Sequence, residues 1–355
     1  MNVGLLMRSL LSAAALCVAV PACGQPTIVT PEENSASTAA MSWPAYKARL
    51  MALARSEGIS DRTIYAVIPD LERNQRVIEL DRRQPGSSSS SGRIPPFAPY
   101  QRRQVTPQII DLGQDEYRQH AAYLRSLEQR TGVDAEIILA IYGKETAYGA
   151  ITGNFDLFEA LGTLAWEGRR RDLFEPEFIA ALKLLDQGHP RSRLKGSWAG
   201  AAGKTQFMPT NILRLAADGD GDGDADIWNS ERDAFASIAN YLVDAGWEGG
   251  PRWGIPVRVP ADLDREAIKT RLAARRCPAV FARHSQWLPM SEWRRLGVTP
   301  VGRSLDGDTL ATLIEPDGPG RTAYLTTQNY RAILDYNCSN FYALSIGLVA
   351  DGIER

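Results

Sequence analysis

The sequence predicts a mainly α-helical protein with a smaller lobe of mixed α/β character, an α+β chain overall. Three observations carry that prediction. Apolar residues recur at helical spacing through most of the stretch 106–246. Over about 250–327 the texture changes to short extended segments, as in 254–259 and 322–325. Between predicted helices near 211–217 and from Ser230 onward lies an aspartate-rich loop of the EF-hand kind.

Composition bounds the function before any motif is considered. The chain has 355 residues, 44% hydrophobic and 23% charged, ordinary for a soluble globular protein with a large core. A net charge of −2 excludes the basic excess expected of a nucleic-acid binder. No internal apolar run approaches the roughly 20 residues of a membrane span.

The N-terminus differs from the rest. Residues 1–22 read as a secretory signal with a short apolar region after Arg8. The run Val20-Pro21-Ala22-Cys23-Gly24 looks like a lipoprotein processing site with Cys23 as the lipidated residue, ordinary cleavage near Ala22 being the alternative. Residues 23–41 are polar and aperiodic, as in a flexible tether, and the folded domain is expected over 42–355. Cys277 and Cys338 can then pair in an oxidising compartment or stay as buried thiols. A bridge closing so long a loop contributes about 4 kcal/mol in the chain-entropy model.

Within the domain, Ser42-Trp43-Pro44 predicts a helix start and Gly58 its stop. A serine-rich insertion at 84–96 predicts a flexible surface loop. Tyr117, Ala121, Leu124 and Leu127 recur at helix spacing. A helix over 134–145 then opens at Asp134 as N-cap, and another over 155–166 is apolar nearly all round. Phe178, Leu182 and Leu185 mark a further helix. Ser230 to Asp233 resembles a capping box before a helix over 234–245, which Gly246 ends, and a last helix covers 342–352.

Glu145 is the most informative residue. It lies four residues after Ile141 and eight after Ile137, so it shares their core-facing stripe. A carboxyl there is paired, protonated or functional, because desolvation disfavours its ionised form and raises its pKa into the range of a general acid. Spacing alone fits equally a buried Glu held by a Lys or Arg, or one turned out to water.

Other constellations surround it in the sequence. The segment 194–210 sets Gly196, Gly200 and Gly203 among aromatic and hydrogen-bonding residues, where a backbone can approach a ligand and Ser197 and Gln206 can meet sugar hydroxyls or an acetamido group. In the loop 218–229, Asp218, Asp220 and Asp222 occupy calcium-ligand positions one, three and five. Gly223 is the turn glycine, Asp224 offers its carbonyl, Asp226 follows, and Asn229 replaces the usual glutamate at position twelve, which weakens the site. The cluster Tyr336-Asn337-Cys338-Ser339-Asn340-Phe341-Tyr342 mixes aromatics and amides as carbohydrate clefts do. The run Arg169-Arg170-Arg171 is either a solvated face or a partner for substrate carboxylates.

In this order the segments resemble the lytic murein transglycosylase B family, which cuts peptidoglycan without hydrolysis. The residues that carry the resemblance are 143–149, 160–164, 195–197 through 206–209, the aspartate loop ending Ile227-Trp228, 239–241, Tyr336-Asn337 and 342–344. The resemblance implies a lysozyme-like helical catalytic lobe beside a smaller lobe, with Glu145 as the single acid/base. Ser197, Gln206, Tyr241, Tyr336, Asn337 and Tyr342 would line the glycan cleft, joined by two of the three arginines, here Arg170 and Arg171. It further implies structural Ca2+ in the aspartate loop, no organic cofactor, and 1,6-anhydromuramoyl products from the bond between N-acetylmuramic acid and N-acetylglucosamine. The partner expected is the peptidoglycan glycan strand, met by a monomer in the periplasm that Cys23 would anchor to the outer membrane. The rival readings are a hydrolytic muramidase and a non-catalytic, calcium-dependent peptidoglycan-binding protein.

Overall fold

The computed structural model describes residues 41–83 and 95–354. The expected signal, Cys23, all but the end of the tether and most of the serine-rich insertion lie outside the described residues.

Helix α1 (Trp43–Ser56) begins where the sequence predicts, the Ser42 hydroxyl accepting from the Ala45 amide with proline in the first turn. Three short helices follow: α2 (Asp61–Val67), α3 (Gln75–Arg83) and α4 (Phe97–Gln104). The long α5 (Pro107–Thr131) ends at Gly132, whose φ of 72° lets its amide close the last turn on Glu128. Next comes α6 (Ala135–Thr146), which carries Glu145. Asp134 stands at the N-cap position, but contrary to expectation its side chain makes no capping hydrogen bond. Burial, with Glu128 and Glu136 nearby, raises its carboxyl to about 7.

A two-residue strand β1 (Phe155–Asp156) precedes α7 (Leu157–Glu167). The helix therefore starts two residues later than predicted, because Asp156 caps it by accepting from the Phe158 and Glu159 amides. Helix α8 (Arg171–Asp186) follows, and β2 (Lys195–Gly196) pairs antiparallel with β1. Helices α9 (Pro209–Leu215) and α10 (Glu231–Asp244) flank the aspartate loop. Only half of the expected capping box forms: Ser230 accepts from the Asp233 amide, so the helix starts at Glu231, while the Asp233 carboxylate turns into the loop.

The smaller lobe is built from β3 (Gly254–Arg258), α11 (Pro278–Phe281), β4 (Leu288–Pro289), α12 (Met290–Arg295), β5 (Thr299–Pro300), β6 (Leu310–Ile314) and β7 (Ala323–Thr326). Its five strands pair antiparallel in the order β4-β6-β7-β3-β5. Alternation along the strands serves two cores. Ile255, Leu313 and Leu325 pack with Met290 and Trp293 inside the lobe, whereas Ile314 and Tyr324 join the main body. The chain returns through α13 (Gln328–Tyr336) and α14 (Asn340–Ile353), the latter starting two residues before the predicted 342. Cys277, ahead of α11, is joined by a disulfide to Cys338, between α13 and α14, with Cα atoms 5.4 Å apart.

The main body has two apolar cores. One surrounds α6 with residues of α5, α10, α13 and α14, and Ile137, Ile138 and Ile141 are at most 1% exposed in it. Burying each such side chain contributes about 1.5–3 kcal/mol. The other joins α1 and α2 to α7 and α8. Tyr336 packs against both, which marks the seam between them.

Candidate active site

The C-terminal end of α6 is turned sharply. Ala147 and Tyr148 hold left-handed φ values of 50° and 57°, followed by Gly149 at 82°. Such non-glycine conformations cost about 1–3 kcal/mol each, and surrounding contacts must over-determine them. The Tyr148 hydroxyl donates to the Ile109 carbonyl at 2.6 Å, and the Thr146 hydroxyl donates to the Tyr142 carbonyl while accepting from the Gly149 amide. A Cβ on Gly149 would stand 2.3 Å from the Tyr142 hydroxyl, so glycine is required there.

This turn leaves Glu145 at the end of the helix, where α14 meets it. The Tyr342 hydroxyl donates to Glu145 Oε1 at 2.6 Å. The carboxyl keeps a small accessible face, yet protein atoms crowd its other sides, and burial raises its pKa to about 7. The Tyr342 hydrogen bond and Lys144 pull the other way without overcoming burial. Among the described residues no second carboxylate acts on it. Lys144 does not fold onto it as a salt-bridge partner. It donates to Gln104 Oε1 and lies 5.1 Å from the Tyr100 ring centre, with its pKa lowered by burial to about 8.

The glycine-containing segment lies against the end of α6, where the Thr146 hydroxyl also reaches the Lys204 carbonyl at 3.4 Å. Gly196 bridges to Ala202, and Ala202 to Phe207, forming a tight hairpin next to β1 and β2. Ser197 Oγ accepts from the Ala201 amide at 3.1 Å, so the hydroxyl shapes the turn. Gln206 has a left-handed φ of 52° and its amide donates to the Thr152 and Gly203 carbonyls. Its nitrogen is therefore engaged, and its carbonyl oxygen is what remains to offer.

Tyr336 joins the hairpin to the surroundings of Glu145. Its hydroxyl donates to the Thr205 carbonyl at 2.6 Å, its ring lies 4.6 Å from Tyr241, and both rings meet Phe207. Burial and the neighbouring Glu145 push the hydroxyls of Tyr336 and Tyr342 well above the ordinary tyrosine range. Tyr241 is anchored by donation to the Asp335 carbonyl. The Asn337 side chain makes no hydrogen bond among the described residues. Tyr100 escaped the sequence reading although Glu145 acts on its hydroxyl, and no motif around it signals the role.

The arginines are committed elsewhere. Arg169 and Arg170 both pair with the buried Asp81, and Arg171 donates to the Ala165 and Trp166 carbonyls at the end of α7. A concavity of about 520 Å³ between α1, α8 and α9 contains none of these residues, and its Glu175 is already held by Tyr46 and Arg49.

The aspartate loop stands behind the hairpin. The Lys204 amide donates to the Ile227 carbonyl, and the Trp228 indole to the Lys195 carbonyl. Carboxylate oxygens of Asp218, Asp220 and Asp222 lie within 4.8 Å of one another, an arrangement that fits a hard divalent cation. The Asp224 side chain turns away to Arg193 at 2.6 Å, leaving its carbonyl as the available ligand, while the Asn229 amide donates to Asp226. Asp233, unforeseen from the sequence, is fully buried and accepts from the amides of Gly219, Asp220 and Asp226, which fixes the loop's curvature.

The raised pKa of Glu145 has a stability consequence. The unfolded chain ionises this group near 4, the folded protein near 7, so ionisation opposes folding increasingly across that window and fully above it. Glu145→Gln should therefore melt at a higher temperature than the parent above pH 7, with the gain shrinking as pH falls towards 4. Paired thermal melts from pH 4 to 8 measure this, and a gain independent of pH would contradict it.

Comparison with known proteins agrees with this geometry. The Transglycosylase SLT domain matches residues 42–351. Membrane-bound lytic murein transglycosylase B of Escherichia coli (strain K12) is 28% identical over 303 residues, 83% of this chain and 78% of that protein. The structure of SltB3 from Pseudomonas aeruginosa in complex with NAG-anhNAM-pentapeptide superposes with a TM-score of 0.78 at 37% identity, covering 88% of this chain and 80% of that one. Escherichia coli Slt35 in complex with calcium gives a TM-score of 0.69 at 25% identity, covering 87% and 92%. The chain belongs to the SLT transglycosylase family as a peptidoglycan lytic transglycosylase with a lysozyme-like body.

Proposed function

We propose that Glu145 alone serves as acid and then base in cutting the β-1,4 bond between N-acetylmuramic acid and N-acetylglucosamine. The observation that supports this is a carboxyl held near neutrality by burial, with no second carboxylate acting on it. Glycosidases that work with two carboxylates set them about 5–9.5 Å apart. Protonated Glu145 donates to the glycosidic oxygen as the bond to C1 of the muramic acid breaks. The sugar's own acetamido group stabilises the oxocarbenium-like centre. The resulting carboxylate takes the proton of the C6 hydroxyl, whose oxygen bonds to C1 and closes a 1,6-anhydro ring. No water is consumed.

Tyr342 positions the carboxyl, and because its hydrogen bond favours the ionised form it keeps the pKa from rising further. The Gln206 carbonyl, the Asn337 amide and the Tyr336–Tyr241 pair are assigned to glycan recognition, with Ser197 shaping the hairpin. Arg170 and Arg171, engaged as they are, are assigned to the rim. The enzyme acts as a monomer on glycan strands. Glu145→Gln should abolish turnover of purified sacculi while retaining glycan binding. Mass spectrometry should find parental products lighter by one water than reducing muropeptides. Reducing products would instead identify a muramidase, and full activity of the variant would remove Glu145 from the reaction.

Asp218, Asp220, Asp222 and the Asp224 carbonyl are assigned to a structural Ca2+, which would neutralise the mutual repulsion of the loop's aspartates. Adding a chelator should lower the melting temperature and calcium should restore it. A melting curve indifferent to both would end this assignment.

Export followed by lipidation at Cys23 would place the enzyme in the periplasm on the outer membrane. Cys23→Ser should then move it from the membrane fraction to the soluble fraction of lysed cells. An unchanged distribution would count against the anchor.

A further inference from the structure

A second group of potential ligands, sharing no residue with the aspartate loop, joins α5 to the start of α10. Glu116 and His120 stand one turn apart on α5, and Glu231 opens α10. His120 Nε2 lies 3.0 Å from Glu231 Oε2 and 3.7 Å from Glu116 Oε2, and the ligand atoms of all three fall within 4.8 Å of one another. The His120 and Glu116 side chains are 13% and 19% exposed.

Two of these atoms, Glu116 Oε2 and His120 Nε2, are fully buried yet make no aligned hydrogen bond. Buried polar atoms this close without an aligned hydrogen bond are rare, and one explanation is an ion between them. The spacing suits that explanation. Ligands about 2.0–2.2 Å from a tetrahedral zinc stand ~3.3 Å apart, between the two separations observed here.

The surroundings are built as a metal's outer shell is. Glu231 divides its oxygens: Oε1 accepts from the Tyr142 hydroxyl at 3.1 Å and faces Lys204 Nζ at 3.5 Å, which leaves Oε2 for His120. Lys204 also donates to the Tyr142 hydroxyl. The His120 ring is set by edge contact with Phe235. Such support orients ligands and raises their affinity.

We propose that Glu116, His120 and Glu231 bind a zinc-class divalent cation. One imidazole with two carboxylates suits zinc better than calcium, which takes oxygen ligands. The ion would tie α5 to the start of α10 and, through Tyr142, to the helix that carries Glu145. It is structural and independent of the reaction proposed above. The rival reading is direct pairing of His120 with the two carboxylates and no ion between them.

Titration calorimetry with Zn2+ tests this on the full chain after chelator treatment and return to metal-free buffer, with excess Ca2+ to fill the aspartate loop. One equivalent should bind. His120→Asn should weaken it at least 100-fold, while Asp218→Ala and His189→Asn leave it unchanged, His189 being the histidine near Asp224 and Asp226. X-ray absorption of the zinc-loaded parent should show one imidazole nitrogen with carboxylate oxygens, a readout that needs no folded variant. Absence of binding, unchanged binding by a folded His120→Asn, loss in either control, or an all-oxygen shell would overturn the site.

Discussion

The burial of one carboxyl group at the end of α6 is the constraint on which the site depends. Desolvation of Glu145 must exceed the opposing pull of Tyr342 and Lys144 for the group to hold a proton near neutrality, and it does. The surroundings are arranged to keep that balance. Lys144 is drawn aside by Gln104 and the Tyr100 ring, so the nearest cation does not become a salt-bridge partner. Tyr342 supplies a hydrogen bond that fixes the carboxyl in place while leaving it protonatable. The left-handed turn through Ala147 and Tyr148 ends the helix one residue beyond the acid.

The rest of the body supports the surroundings of this carboxyl. Tyr336 packs against both cores and neighbours Glu145, so the candidate site draws on side chains at their seam. The Tyr336 ring packs at a tilt against Tyr241 and Phe207, and its hydroxyl bonds to the backbone of the glycine-rich hairpin. The hairpin is held from behind by the aspartate loop, whose curvature depends on the buried Asp233. Structural order therefore passes from an acidic surface loop to the glycine-rich hairpin through a few hydrogen bonds to the backbone.

Local signals in the sequence were readable where local physics decides the outcome. Ser42 with Pro44, and the isoleucine stripe ending at Glu145, fix helix ends and faces from neighbouring residues alone. Where distant partners decide, the reading failed or stopped short. Asp134 sits at a cap position without capping, since its surroundings are buried and acidic. Asp233 belongs by pattern to a capping box, yet the loop's amides compete for its carboxylate and win. No local pattern announces that the Thr152 and Gly203 carbonyls occupy the Gln206 nitrogen, which leaves its carbonyl oxygen to offer. Tyr100 carries no pattern at all, because only the packing of α4 and α14 brings it to the acid.

The hydrogen bond between Tyr342 and Glu145 spans 197 residues of chain. A ribosome completes the acid long before it completes the group that sets it. A nascent or interrupted chain therefore carries Glu145 in the condition of an ordinary, solvated glutamate, ionised and unable to donate a proton. The burial that raises the carboxyl's pKa is completed only when α14 docks on α6, so the last helix of the chain sets the protonation of a residue made far earlier.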